Sequence, residues 1–188
     1  MKRILLALLI TALTLPGCSS RADCARADVF CAGLVTGFGQ INDRGLNQSA
    51  WEGLVQAKQA GLLDQITYIE TIDSKDRAAN ITALAKSGYD LVVTVGASMA
   101  EATAAAAEAH PRTLFIGVDQ EQEIVRTNFA GLVFHEDQGG FLAGALAASM
   151  TKTRRVAAIC EAAWIQSMRR YCEGFRAGVR YFSPDVFI

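Results

Sequence analysis

The sequence predicts an α/β fold, a parallel sheet flanked by helices. Three observations point to it. Apolar runs of strand length alternate with segments whose apolar residues recur at helical spacing, strand then helix along the chain. Leu91–Val95 (LVVTV) is a short, largely apolar run of the kind found in strands covered on both faces. Glycine and polar residues gather at the strand-to-helix turns, where right-handed crossovers place the ligand-facing edge of such a sheet. Composition agrees. Of 188 residues, 51% are hydrophobic and 20% charged, and the net charge is −1, so a packed core is expected and no basic surface for nucleic acid.

The first element is not part of the fold. Lys2-Arg3 precedes the apolar run Ile4–Leu15, which is shorter than the ~20 residues a membrane span needs. A basic start, a short apolar core and a small-residue end make an export signal. Leu15-Pro16-Gly17-Cys18 resembles a bacterial lipobox, with Pro16 where a small or β-branched residue is usual. The expectation is a lipoprotein signal peptide over 1–17, with Cys18 lipidated as the first mature residue. Residues 18–28 then form a polar tether. This places the protein in the bacterial cell envelope, lipid-anchored to the membrane on the periplasmic or extracellular face. The mean hydropathy of +0.21 owes part of its value to the signal.

Val29–Thr36 is the first expected strand and Leu46–Ala60 the first helix, with Leu46, Ala50, Leu54 and Ala57 on one stripe. Ile66–Ile72 is strand-like. Asp76–Ser87 is helical, with Ile81, Leu84 and Ala85 on one face and Gly88 placed to stop it. After Leu91–Val95, Ser98-Met99-Ala100-Glu101 has the form of a capping box for a helix that His110-Pro111 ends. Thr113–Val118 and Gly131–Phe134 are strand candidates. Gln138–Ser149 is a helix rich in Ala and Gly, suited to close packing. Arg155–Cys160 reads as another strand. Ile165, Met168, Cys172, Phe175, Val179 and Phe182 then make the clearest helical stripe. Its opposite face carries Arg169, Arg170, Glu173, Arg176 and Arg180, read as solvated. Ser183-Pro184-Asp185 is a turn, and Val186–Ile188 opens a strand with no helix after it, as in a truncated chain.

Cys24, Cys31, Cys160 and Cys172 would sit in an oxidising compartment, where three pairings are open to them. Cys160 and Cys172 read equally well as small core residues. His110 and His135 lack metal-ligand spacing, and no metal site is expected. Gly37-Phe38-Gly39-Gln40-Ile41-Asn42 begins like a dinucleotide loop, but Asn42 replaces the last glycine and no helix follows directly. With no phosphate loop and no nucleophile elbow in the sequence, the expectation is a binding protein, not an enzyme, without cofactor. The turns to search for a site are Gly37–Asn47, Ile72–Asp76, Gly96–Ser98 and Asp119–Gln122.

Several of these segments resemble one family. Gly33-Leu34-Val35-Thr36, Asn42-Asp43 and Leu46-Asn47-Gln48-Ser49-Ala50-Trp51-Glu52-Gly53-Leu54 look like the opening of the basic membrane proteins, the purine-nucleoside-receptor-like substrate-binding lipoproteins. Gly88-Tyr89-Asp90-Leu91-Val92, Phe115-Ile116-Gly117-Val118-Asp119-Gln120, His135-Glu136-Asp137-Gln138, Phe141-Leu142-Ala143-Gly144, Met150-Thr151-Lys152-Thr153 and Phe175-Arg176-Ala177-Gly178 continue it in order.

The resemblance implies a type I periplasmic binding protein fold, with two Rossmann-like α/β lobes closing on a ligand. Residues 29–150 would be most of the first lobe, and 151–188 the crossover and the start of a second lobe only begun. It also implies a purine nucleoside held by a stacked aromatic with acids and amides, and delivered to an ABC permease. Carried over residue by residue, the ligand-binding set is Asp43, Asn47 and Asp119, with Gly96 in the turn after the third strand. Each acid or amide has a plainer reading: Asp43 as a helix cap, Asn47 as a polar first-turn residue, Asp119 as a turn cap. Trp51 reads as packing. The family's stacking aromatic is Leu46 here, with Phe38 adjacent as a substitute, and the acid after the first strand is Gly37. With half the cleft absent and Leu46 unable to stack, the chain alone is expected to bind nucleosides weakly or not at all. The alternatives are a surface or sensory lipoprotein without transport, and a non-functional truncated gene product.

Overall fold

The computed structural model describes residues 23–188. The export signal, the lipobox with Cys18 and the start of the tether lie outside the described residues. Five strands, β1 (Cys31–Val35), β2 (Gln65–Ile69), β3 (Leu91–Val95), β4 (Leu114–Val118) and β5 (Phe129–Leu132), form one sheet in the order β2-β1-β3-β4-β5. Every pairing is parallel, with Ala32 opposite Leu91, Leu91 opposite Leu114 and Phe115 opposite Phe129. Helices α1 (Leu46–Gln59), α2 (Arg77–Lys86), α3 (Ala100–Ala109), α4 (Glu136–Met150) and α5 (Gln166–Phe182) complete the described elements.

The two-residue strand period sorts the core onto two faces. Cys31, Val35, Val92 and Phe115 meet Ile81 and Leu84 of α2 and Ala106 and Ala107 of α3. Ala32, Leu34, Val93, Val95 and Val118 meet Leu54 of α1. Burial on both faces explains the nearly continuous apolar strands. Trp51 packs beside this second cluster, its ring 5.1 Å from that of Tyr68 in an edge-on contact. Gly88 (φ 81°) closes α2, and the Tyr89 amide returns to the Leu84 carbonyl, as expected of a glycine stop.

Helix α4, which the sequence pattern groups with the sheet, packs chiefly on α5. Neither sheet-facing cluster contains a residue of α4 or α5. Added Cβ atoms on Gly140 and Gly144 would overlap the carbonyls of Tyr171 and Phe175, and on Gly174 and Gly178 those of Asp137 and Phe141. The two helices therefore run parallel in backbone contact, which only glycine at those four positions permits. Ala148, Val179 and Val186 form their shared core, with Val156 and Phe175 against it.

Three expectations are corrected. Ser98 and Glu101 do not make a capping box. A 3-10 turn, Ala97–Met99, intervenes, α3 starts at Ala100, and its first turn has no side-chain cap. Arg155–Cys160 is not a strand. A parallel strand needs a neighbour to supply its ladder, and here only Arg155 bridges Phe187, with the Val156 amide on the Phe187 carbonyl at 2.9 Å. The basic face of α5 is not wholly solvated, because Arg170 turns inward to the buried Glu136.

Candidate functional site

Strands β1, β3 and β4 point their carboxyl ends at the same edge of the sheet, and a cavity of 310 Å³ opens there. One wall comes from the turns after those strands. The other comes from Glu161, Ile165 and Met168, which lead into and begin α5. Asp43, Asn47, Gly96 and Asp119 all line this one cavity. A ligand position at a strand-end crevice is where open parallel sheets place it.

The turn after β1 is held from three sides. The Thr36 hydroxyl donates to the Gly39 carbonyl at 3.0 Å and accepts the Thr71 amide at 2.8 Å. The Ile41 amide donates to Glu70 at 2.8 Å. Asn47, 4% exposed, donates its side-chain amide to the Phe38 and Gln40 carbonyls at 3.1 and 3.4 Å. Its donor is thus spent on shaping the turn. Asp43 accepts the amides of Gly45 (2.7 Å), Gln48 (3.1 Å) and Asn47 (3.3 Å) at the start of α1. Burial opposes its ionisation, but these three amides outweigh it and hold the carboxyl below the usual range. Asp43 therefore caps α1 as well as facing the cavity.

Gly37 has no room for a side chain, since a Cβ there would overlap the Val95 carbonyl oxygen. The acid that the resemblance associates with this position is thus excluded by β3. Phe38, 73% exposed, and Leu46, 43% exposed, both line the cavity from the same turn. Gly96 has φ 97°, a left-handed conformation that suits glycine.

Asp119 directly follows β4 at φ 59°, and its amide donates to the Leu132 carbonyl at 2.9 Å. A left-handed non-glycine residue at a cleft edge marks a position held by its surroundings. Ser167 Oγ donates to the Asp119 carboxylate at 3.4 Å, linking β4 to the first turn of α5. Burial pushes the Asp119 carboxyl up, helped by Glu136 and opposed by Ser167 and Arg170. Arg170 Nη1 lies 3.4 Å from Glu121 and its Nε 2.6 Å from Glu136, so an ionic junction lies beside the cavity.

The charged residues lining the cavity are Asp43, Asp119 and Glu161, with no lysine or arginine among them. Such a lining favours a ligand with hydrogen-bond donors and apolar surface over one with phosphate or carboxylate groups. A second cavity of 540 Å³ adjoins it through Ser98, Asp119 and Ile165 and reaches Trp164. Among the described residues, no three His, Cys, Asp or Glu side chains are grouped to hold a metal ion, and no helix is long and apolar enough to cross a membrane.

Sequence reasoning did not find the second wall. Ile165 and Met168 stood out only as the first positions of an apolar helical stripe, which signals core packing equally well. Glu161 and Ser167 carried no signal, because nothing local shows that the start of α5 returns to β4.

The family model of Bmp, described as ABC transporter substrate-binding protein PnrA-like, matches residues 32–188. The "ABC transporter nucleoside-binding protein BmpA" of Lactococcus lactis is 32% identical over 160 residues, covering 82% of this chain and 44% of that protein. The "CD4+ T-cell-stimulating antigen" of Listeria innocua is 30% identical over 165 residues, covering 85% and 45%. The chain spans about half the length of the curated relatives it matches. A solved ABC transporter solute-binding protein from Aeropyrum pernix superposes with a TM-score of 0.70 at 22% identity, over 82% of this chain and 44% of that one, a likeness of fold.

Proposed function

The chain belongs to the Bmp family of PnrA-like ABC transporter substrate-binding proteins, and from that premise we propose that it is a lipid-anchored solute receptor for an ABC importer, binding a purine nucleoside or a related small ligand. The observation that carries the reading is the convergence of Asp43, Asn47, Gly96 and Asp119 on one cavity at the carboxyl edge of the sheet. Support for a nucleoside is the name of the Lactococcus relative and a lining without cations.

In this reading the first lobe is the sheet with α1, α2 and α3. The packing of α4 on α5 favours a lobe boundary between β5 and α4, ahead of the crossover expected after Met150. A ligand bridging Asp119 and the start of α5 stabilises the closed arrangement, and a permease senses that shift in population. Cys18 holds the receptor at the membrane.

Calorimetry of the chain with guanosine, adenosine and inosine tests the ligand. Weak but saturable binding, reduced by Asp119→Ala, is expected. No heat with any of the three, together with binding of an anionic solute, would remove the nucleoside reading. A second reading, a surface or sensory lipoprotein without transport, is favoured by Leu46 at the stacking position. Permease and ATPase genes beside the coding frame separate the two.

A further inference from the structure

The second wall of the cavity is an irregular segment with little of its own to hold it. Residues 157–164 contain no helix or strand, and the hydrogen bond they contribute is local, Ile165 amide to the Ala162 carbonyl. Ile159 and Trp164 are almost fully exposed. Only Ala162 is buried. Yet Glu161 and Ile165 from this stretch line the cavity, and the following Ser167 reaches Asp119. What fastens the segment is covalent. Cys160 is joined to Cys172, twelve residues on, in the second turn of α5.

We infer that the Cys160–Cys172 cross-link sets the second wall of the cavity and makes ligand binding there depend on redox state. Closing a short loop through a rigid helix removes most conformations in which Glu161 and Ile165 lie away from β4. A dithiol reductant breaks the S–S bond and leaves two thiols, while the dithiol gives up two electrons and two protons and closes into its own disulfide. The freed segment then has to be ordered by the ligand itself, and affinity falls by that cost. The other cross-link, Cys24–Cys31, provides a control. It ties the tether to the start of β1, at the opposite edge of the sheet from the cavity. The inference rests on the proposed reading of the cavity as a ligand site.

The test uses the full chain under non-reducing conditions, with C160S/C172S and C24S/C31S beside the wild type. Hydrogen exchange is followed across the chain, and guanosine, adenosine and inosine are titrated by calorimetry. In C160S/C172S, amides of residues 161–172 should exchange about ten-fold faster with the sheet still protected, and nucleoside affinity should fall about five-fold or more. A dithiol should reproduce both changes in the wild type, and C24S/C31S should reproduce neither. Unchanged exchange at 161–172 overturns the inference, as does faster exchange with unchanged affinity. Loss of protection throughout the sheet also overturns it, because the cross-link would then hold the whole fold. If the oxidised wild type binds none of the three nucleosides, the proposed ligand fails, while the exchange result still decides whether the cross-link positions the wall.

Discussion

Arg170 Nε lies 2.6 Å from Glu136 Oε2, joining the second turn of α5 to the first residue of α4 through a carboxylate whose side chain is 3% exposed. Burial pushes the Glu136 carboxyl up, but the hydrogen bond and charge of Arg170 outweigh it, and the group is held below the usual range. Removing the arginine leaves a buried charge without its partner. Arg170→Ala should therefore destabilise the chain by about 3–5 kcal/mol, read by denaturant unfolding, whereas Arg170→Met with Glu136→Leu should be nearly neutral. Because the folded carboxyl is depressed, this contribution is present above the unfolded value near pH ~4.3 and lost as pH falls through the folded one. Unfolding midpoints of wild type and Arg170→Ala should converge in acid.

Asp119→Asn separates stability from binding. Burial raises the Asp119 carboxyl, so its ionised form at neutral pH opposes folding. Stability from a raised carboxyl is present below its unfolded value and lost as pH rises through the folded one. Asparagine carries no charge to desolvate and tolerates the left-handed backbone at this position. The substitution should raise Tm by roughly 1–3 °C at pH 7, with little change near pH 3. Nucleoside affinity should fall by about ten-fold, the cost of losing a charged hydrogen-bond acceptor. A lower Tm with full affinity would place Asp119 in the fold and not in the site.

The sheet was legible because its signals are local. Val92, Val93 and Val95 read as a strand buried on both sides, and Gly88 reads as a helix stop, from neighbours a few residues away. The first wall of the cavity followed from strand-end turns. The failures share a different cause. Arg155–Cys160 looks like a strand, but strand formation depends on a partner that only Phe187 supplies. Ser98 lost its capping role to a 3-10 turn started by Gly96. The pairing of Cys160 with Cys172, and of α4 with α5, depends on contacts between segments, which periodicity does not record.

Gly144 tests the α4–α5 contact. A methyl group there would overlap the Phe175 carbonyl, so Gly144→Ala must push the helices apart. The gain in helix propensity is ~1 kcal/mol, smaller than the overpacking cost of about 1–3 kcal/mol, and net destabilisation is expected. Hydrogen exchange should quicken in α4 and α5 and leave β1, β3 and β4 unchanged. Gly53, exposed on α1 with nothing within 4 Å of an added Cβ, is the control, and Gly53→Ala should stabilise.

Anchoring has its own test. If Cys18 is acylated, intact mass of the membrane fraction should show a chain beginning at Cys18 with acyl groups attached. Cys18→Ser should move the protein to the soluble fraction, since lipid chains supply the membrane affinity. A soluble wild type starting at another residue would remove the lipid anchor from the functional reading.

Leu46 and Phe38 decide what kind of ligand the first wall takes. Both face the cavity, Leu46 from the first turn of α1 and Phe38 from a turn pinned by Asn47. Leucine offers apolar contact but no ring for a base to stack on. Stacking of a base on an aromatic side chain contributes about 1–3 kcal/mol, so Leu46→Phe should tighten guanosine binding by roughly 5- to 150-fold. Gly37→Asp, which would also bring the chain nearer the family pattern, should fail for a steric reason, since its Cβ meets the Val95 carbonyl and β1 and β3 must move apart. Its expected effect is a lower Tm with no gain in affinity. Phe38→Ala distinguishes the remaining possibility. If Phe38 already stacks on the base, Phe38→Ala weakens binding and Leu46→Phe adds little. If Leu46→Phe weakens binding while Phe38→Ala is silent, the ligand presents no flat ring to this wall, and a nucleoside is the wrong solute.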